Sequence, residues 1–299
     1  MNYRVADNNS STIARINAQR SRLSVLQERL SSGKRINRPS DDPIGAEAVL
    51  KLRTSQKEIE QFQRNTQTAN QKLTAADTSL NSYENILDRV KTLVTQGLGD
   101  TATQTAKDAL ATEIESLRSR ILNIANSKNG DDYLFGGTRQ NAPPFDPATG
   151  IPAVTPATAQ FMQIEPGMNA MAVSVTAETV FSDSTATIFE DLTNAINALR
   201  GTGDPTADRT SLEMTMSRLE IYRNLVTNAH AQIGANMNQT EIASENLGNN
   251  FLAFSEQINS IETADFAETA LDLAETQQAL EATLQVAARG RRTLFDFLG

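Results

Sequence analysis

The chain has 299 residues, a net charge of −9, no Cys, no Trp and a single His. Zero Cys and a single His, His230, remove nearly all the ligands zinc prefers and the usual base of a nucleophilic triad. Few aromatics beside abundant Ala, Thr, Asn, Gln and Leu suit long, thin helical packing better than a thick globular core.

The first element is an amphipathic helix over residues 10–38, with Ile13, Ile16, Leu23 and Leu30 on one face. It is strongly basic: residues 1–38 hold eight Lys or Arg against Asp7 and Glu28. The segment LSSGKRINRPSDDP at 30–43 then breaks the helix. Gly33 can stop it, and Pro39 turns its neighbours away from helical continuation. Asp42 before Pro43 reads as an N-cap followed by proline at the first helical position, so a second helix starts there.

Steps of three and four along that helix run Leu52, Ser55, Ile59, Phe62, Thr66, Ala69, Leu73, Ala76, Leu80, Tyr83, Leu87, Val90 and Val94. A run of this length spans roughly 65 Å at 1.5 Å per residue. Gly97 and Gly99 end it, and a shorter helix with Leu110, Ile114, Leu117, Ile121 and Ile124 folds back antiparallel on it. In residues 129–138, NGDDYLFGGT places turn residues around an aromatic–aliphatic centre, a hairpin signal. Prolines at 143, 144, 147, 152, 156 and 166 exclude long helices, and Met171, Val173 and Val175 alternate with polar or small residues as in a half-buried strand.

Helix resumes at 188–200 and again from Pro205. A second long seam runs Leu212, Met216, Leu219, Arg223, Val226, His230, Ile233, Met237, Thr240, Ser244, Leu247, Phe251, Phe254, Ile258 and Ile261. The rhythm slips between Ile261 and Phe266, so TADF at 263–266 joins two helices. The last helix carries Phe266, Leu273, Leu280, Ala287 and Leu294 seven residues apart, with Leu284 beside them. Such a stripe must be buried against another helix. Residues 262–299 hold seven acids against three Arg, so the two terminal helices are electrostatically complementary.

The expected fold is mainly α: coiled-coil-like helical rods, terminal helices paired at the base and a small β-rich domain at the tip. The expected divisions are 1–41, 42–138, 139–187, 188–262 and 263–299. The assembly residues are Ile13, Ile16, Leu23, Leu30, Phe266, Leu273, Leu280, Leu284 and Leu294. No catalytic, cofactor or metal site is expected. The pairs Asp41–Asp42 and Asp131–Asp132 sit where acids cap helices and turns. His230 on the seam reads as a hydrogen-bonded histidine, and no phosphate loop, dinucleotide fingerprint or HExxH helix is present. No apolar run is long enough to cross a bilayer, and the N-terminus lacks the apolar core of a cleaved signal.

The 30–43 segment, the Asp41-Asp42-Pro43 helix start and SIETADFAETALDLAETQQAL at 260–280 resemble the bacterial flagellins and their relatives. YLFGGT at 133–138 and the ending TLFDFLG at 293–299 are similar to the hook-associated protein 3 branch. The resemblance covers about 1–138 and 187–299; Thr263 departs from it, since the family often has an acid there. It implies a structural protein at the hook–filament junction, exported without a cleaved signal through the flagellar type III channel to an extracellular position. The partners it implies are hook-associated protein 1, flagellin, copies of the chain itself and an export chaperone, with no nucleic acid and no membrane insertion. The resemblance leaves a short flagellin as its alternative, and the residues themselves allow a membrane-surface coiled-coil adaptor built on the basic first helix.

Overall fold

The computed structural model describes the backbone of residues 2–99, 102–153 and 157–298, and the side chains within that set from residue 11 to residue 288. The elements are α1 (Asn2–Ser32), α2 (Pro43–Gly97), α3 (Gln104–Ala125), β1 (Lys128–Asn129), β2 (Asp132–Tyr133), β3 (Phe161–Met162), β4 (Met171–Ala172), α4 (Ala177–Phe181), α5 (Ile188–Arg200), α6 (Pro205–Glu262) and α7 (Phe266–Leu298). The fold is mainly α, with two antiparallel pairs of two-residue strands as its only sheets among the described residues. The chain divides into two compact units, one of residues 59–248 and one formed by residues 1–58 with 249–299.

The 59–248 unit is organised by the two long seams. From Thr66 onward every seam position of α2 is buried, through Leu73, Leu80, Leu87 and Val94. The facing stripe of α6 buries Leu212, Leu219, Val226 and Ile233. Polar contacts along the flanks follow the antiparallel run of the two helices. His230 Nδ1 lies 2.8 Å from Asp77 Oδ1, Arg223 Nη1 lies 3.5 Å from Asp88 Oδ1, and Lys91 pairs with Glu220. His230 is thus the hydrogen-bonded seam residue that its position implied. α3 returns beside α2, with Arg89 on Glu113 at 2.7 Å. It packs on α5, whose Arg200 reaches Glu115 at 2.7 Å and whose Phe189 carbonyl accepts from Arg118 Nε at 3.1 Å.

The segment between α3 and α5 contains less strand than its alternation predicts. The expected hairpin at 129–138 is present as β1–β2, pairing Lys128 with Tyr133. Met171, Val173 and Val175 are buried in alternation with half-buried Ala172 and Ser174, but ladder pairing extends only over Met171–Ala172. The reason is side-chain demand. Phe135, Phe145 and Phe181 converge on Tyr83 and Phe189, with ring centroids 4.6 to 6.1 Å apart. The buried side chains of residues 134–181 therefore join the helical core instead of building one of their own. Gly137, at φ +55, lets the chain after the hairpin lie against the Thr158 backbone, because a Cβ there would lie 2.2 Å from the Thr158 carbonyl oxygen.

One buried ionic group pins α5 to α6. Arg218 pairs with Asp191 through Nε and with Asp183 at 2.9 Å, and the Tyr222 hydroxyl donates to Asp191 Oδ2 at 2.6 Å. Burial and the bond to Asp191 push the Tyr222 hydroxyl well above its ordinary value. Asp183 is held below the carboxylate range, chiefly by the Ala186 backbone N–H. Removing one member of such a group leaves a buried cation short of a partner, which costs more than the intact pair gains. Asp191→Ala should therefore destabilise the fold by about 3 kcal/mol in denaturant titration.

Candidate functional site: the terminal helix pair and its loop

The second unit is built from both ends of the chain: α1, the first turns of α2, the last turns of α6, and α7. On α1 the inward stripe is Thr12, Ile16, Gln19, Leu23, Leu26 and Leu30, alternating steps of four and three, with Leu26 the most buried. Ile16, Leu23 and Leu30 are half-buried. Ile13 is 55% exposed. At 100° per residue it sits about 100° from the centre of this stripe, and Thr12 takes the seam position.

α7 packs against α1 with a stripe of its own. Its buried positions are Thr269 and Thr276, with Thr283 half-buried one heptad further on. Each hydroxyl donates to the carbonyl four residues back: Thr269 to Asp265 at 2.6 Å, Thr276 to Asp272 at 2.7 Å and Thr283 to Ala279 at 2.7 Å. With the hydroxyl bonded to its own helix, each threonine has its polar group satisfied without a partner across the seam. Leu273 and Leu280 flank the threonines, half-buried, whereas Phe266 (67%) and Leu284 (40%) are exposed. Leu294 lies in α7 but outside the described side chains. An apolar count passes over this threonine heptad, because threonine counts as polar, although the residue recurs at 269, 276 and 283. The charge complementarity takes shape as Arg22 facing Asp272 at 3.5 Å, an exposed pair of small energetic weight.

The 33–42 loop joins α1 to α2. Gly33, at φ +70, ends α1 in the left-handed conformation, and its N–H donates to the Arg29 carbonyl at 2.8 Å. Asp41 Oδ2 accepts from the backbone N–H groups of Asn37 (3.1 Å) and Arg38 (2.9 Å), closing a tight turn. Asp42 Oδ1 accepts from Gly45 N–H at 2.9 Å, the N-cap that Asp42-Pro43 implied. The loop then pairs with the α6–α7 connection, since Ala264 N–H donates to the Gly33 carbonyl at 3.0 Å across the Lys34–Thr263 bridge. Asp265 caps α7 through the N–H groups of Ala267 and Glu268.

This unit is poorly finished. The large contiguous core lies wholly within residues 69–243. Of fifteen exposed large apolar side chains among the described residues, nine belong to the terminal unit: Ile13, Val25, Ile44, Leu50, Leu252, Phe266, Leu271, Leu284 and Val286. This concentration of exposed apolar side chains makes the terminal unit the candidate interaction surface. No group of three or more His, Cys, Asp or Glu that could hold a metal occurs among the described residues. No helix among them is long and apolar enough to cross a membrane.

Residues 2–140 match the bacterial flagellin N-terminal helical region, and residues 216–298 match the bacterial flagellin C-terminal helical region. The chain belongs to the bacterial flagellin family. It is similar to flagellar hook-associated protein 3 of Escherichia coli, with 26% identity over 275 residues and 86% of each chain covered. It is also similar to the flagellin of Bacillus subtilis, with 28% identity over 284 residues and 88% of each covered. Among solved structures, a putative flagellar hook-associated protein from Vibrio parahaemolyticus shares the fold at a TM-score of 0.68 and 19% identity, over 75% of this chain and all of that one. FlgL of Xanthomonas campestris does so at 0.63 and 15%, over 70% and 99%. This flagellin-family chain is a structural component of the flagellum.

The capping acids give the loop a pH dependence. Asp41 is held below its ordinary value of 3.8 chiefly by the Arg38 N–H, and Asp42 chiefly by the Gly45 N–H. A depressed carboxylate stabilises the fold above its unfolded value and loses that contribution as pH falls through the folded value. Amide exchange, corrected for its intrinsic pH dependence, should show the Arg38 and Gly45 N–H groups protected above pH 3.8. They should open progressively below it, and Asp42→Asn should weaken the transition at Gly45.

Proposed function

We propose that this chain forms the hook–filament junction, joining hook-associated protein 1 to the first flagellin subunits. The observation that carries the reading is the terminal unit, whose helices pair only partly and keep large apolar side chains in water. Copies stacked head to tail would cover Ile13 and Phe266 with a different patch of the next subunit, and such heterologous packing grows helically instead of closing as a dimer. In that arrangement residues 1–41 and 263–299 line the inner tube, with Ile16, Leu23, Leu30, Leu273, Leu280, Leu284 and Leu294 in its packing. The helical segments 42–138 and 188–262 form the next shell, and residues 139–187 face outward. Similarity to hook-associated protein 3 over most of both chains supports the junction in particular. Export through the flagellar channel, aided by a chaperone, and a purely structural, non-enzymatic role belong to the same reading.

A filament subunit is the second reading, favoured by the similarity to Bacillus subtilis flagellin over 88% of each chain. Gene deletion separates the two. Loss of a junction protein leaves bare hooks in electron micrographs and flagellin in the medium, whereas loss of the filament subunit abolishes flagellin itself. At the level of the surface, Ile13→Asp and Phe266→Asp should leave thermal unfolding of the monomer nearly unchanged, since both side chains are already exposed. Both should abolish self-association in sedimentation.

A further inference from the structure

Glu262 is the last residue of α6, where the negative end of the helix dipole disfavours a carboxylate. Its side chain is nevertheless only 12% exposed. α6 has no basic residue in its last turn, and Thr263 follows where a glycine cap would often stand. All the compensation comes from elsewhere in the terminal unit. Arg53 Nη2 lies 2.9 and 2.7 Å from the two carboxylate oxygens, and Lys34 Nζ lies 3.0 Å from Oε1. Arg35 completes the cap. Its backbone N–H donates to the Glu262 carbonyl at 2.6 Å, and its guanidinium donates to the Ile261 carbonyl at 2.8 Å while also pairing with Asp42 at 3.2 Å.

Without the 33–42 loop, the end of α6 would keep a largely buried acid faced by Arg53 without Lys34, and two carbonyls without their Arg35 donors, at a negative helix terminus. Without Glu262, Lys34 and Arg53 would face each other with no anion between them. Neither side is favourable alone. We infer that Glu262 is a positioning residue that makes the Gly33–Asp42 loop and the Thr263–Asp265 connection order together, so the directions in which α1 and α7 leave are set jointly by one carboxylate. The inference stands on this geometry and is independent of the junction reading.

The test is hydrogen exchange on the full-length monomer, read at the Arg35 and Ala264 amides, which donate across the loop–connection pairing. Glu262→Gln keeps the shape and removes the charge, and it should speed exchange at both amides by about tenfold or more, the scale of losing hydrogen bonds to a charged group. Arg53→Gln should act on the same two amides. The double variant should exchange no faster than the faster single one, because the two changes break one interaction. Amides of Ile121 and Leu192, in the other unit's core, should not change. Unchanged exchange at Arg35 and Ala264 in Glu262→Gln would overturn the inference, and so would additive effects in the double variant. Uniform acceleration that includes Ile121 and Leu192 would also overturn it, by making Glu262 a general determinant of folding.

Discussion

A long helix can bury only a stripe of its surface against one neighbour, and this limit shapes everything else in the chain. In the 59–248 unit the limit is met in full. α2 and α6 press stripes of Leu, Ile, Val and Ala together, α3 and α5 add a second layer, and the 134–181 segment contributes phenylalanines to the same interior. In the terminal unit it is not met. α1 and α7 have each other along one stripe, that stripe is diluted by Gln19 and four threonines, and Ile13, Phe266, Leu271 and Val286 lie off it in water. The difference between one finished and one unfinished unit is the physical content of an assembly protein.

The seam composition fits that role. A leucine heptad on both helices would give a stable pair with little reason to exchange partners. Threonines with hydroxyls bonded back to their own helix keep the stripe compatible with helix while lowering the apolar area it buries. The buried Gln19 Oε1 has no hydrogen-bond partner, a further local cost. The connection beneath this soft pair is different in kind. Asp41, Asp42 and Asp265 cap turns and helix starts, and Lys34, Arg35 and Arg53 gather at the end of α6. Weak packing thus lies next to specific polar anchoring.

Much of this was legible in the residue order, because the governing chemistry is local. Asp42-Pro43 starts a helix wherever it folds, Gly33 supplies the left-handed residue that ends one, and the slip after Ile261 marks a break because two stripes cannot share one helical phase. Features that depended on remote partners were not legible. Ile13 and Thr12 are one residue apart, and only the partner helix decides which of them faces inward. Thr269, Thr276 and Thr283 read as polar until their hydroxyls are seen bonded to their own backbone. Prolines between 143 and 166 correctly ruled out long helices, but the contacts of Phe135, Phe145 and Phe181 with Tyr83 and Phe189 join residues far apart in the chain. Glu262 looked like one acid among seven, and its partners Lys34 and Arg53 lie more than two hundred residues earlier.

The central claim is that the terminal unit is completed by neighbouring subunits. Hydrogen exchange measured on a verified monomer and on the assembled protein tests it most directly. The account predicts rapid exchange over residues 11–30 and 266–287 in the monomer, strong protection of the same residues after assembly, and slow exchange over residues 73–94 in both states. Strong protection of both terminal helices in the monomer would contradict it, because the pair would then be complete within a single chain.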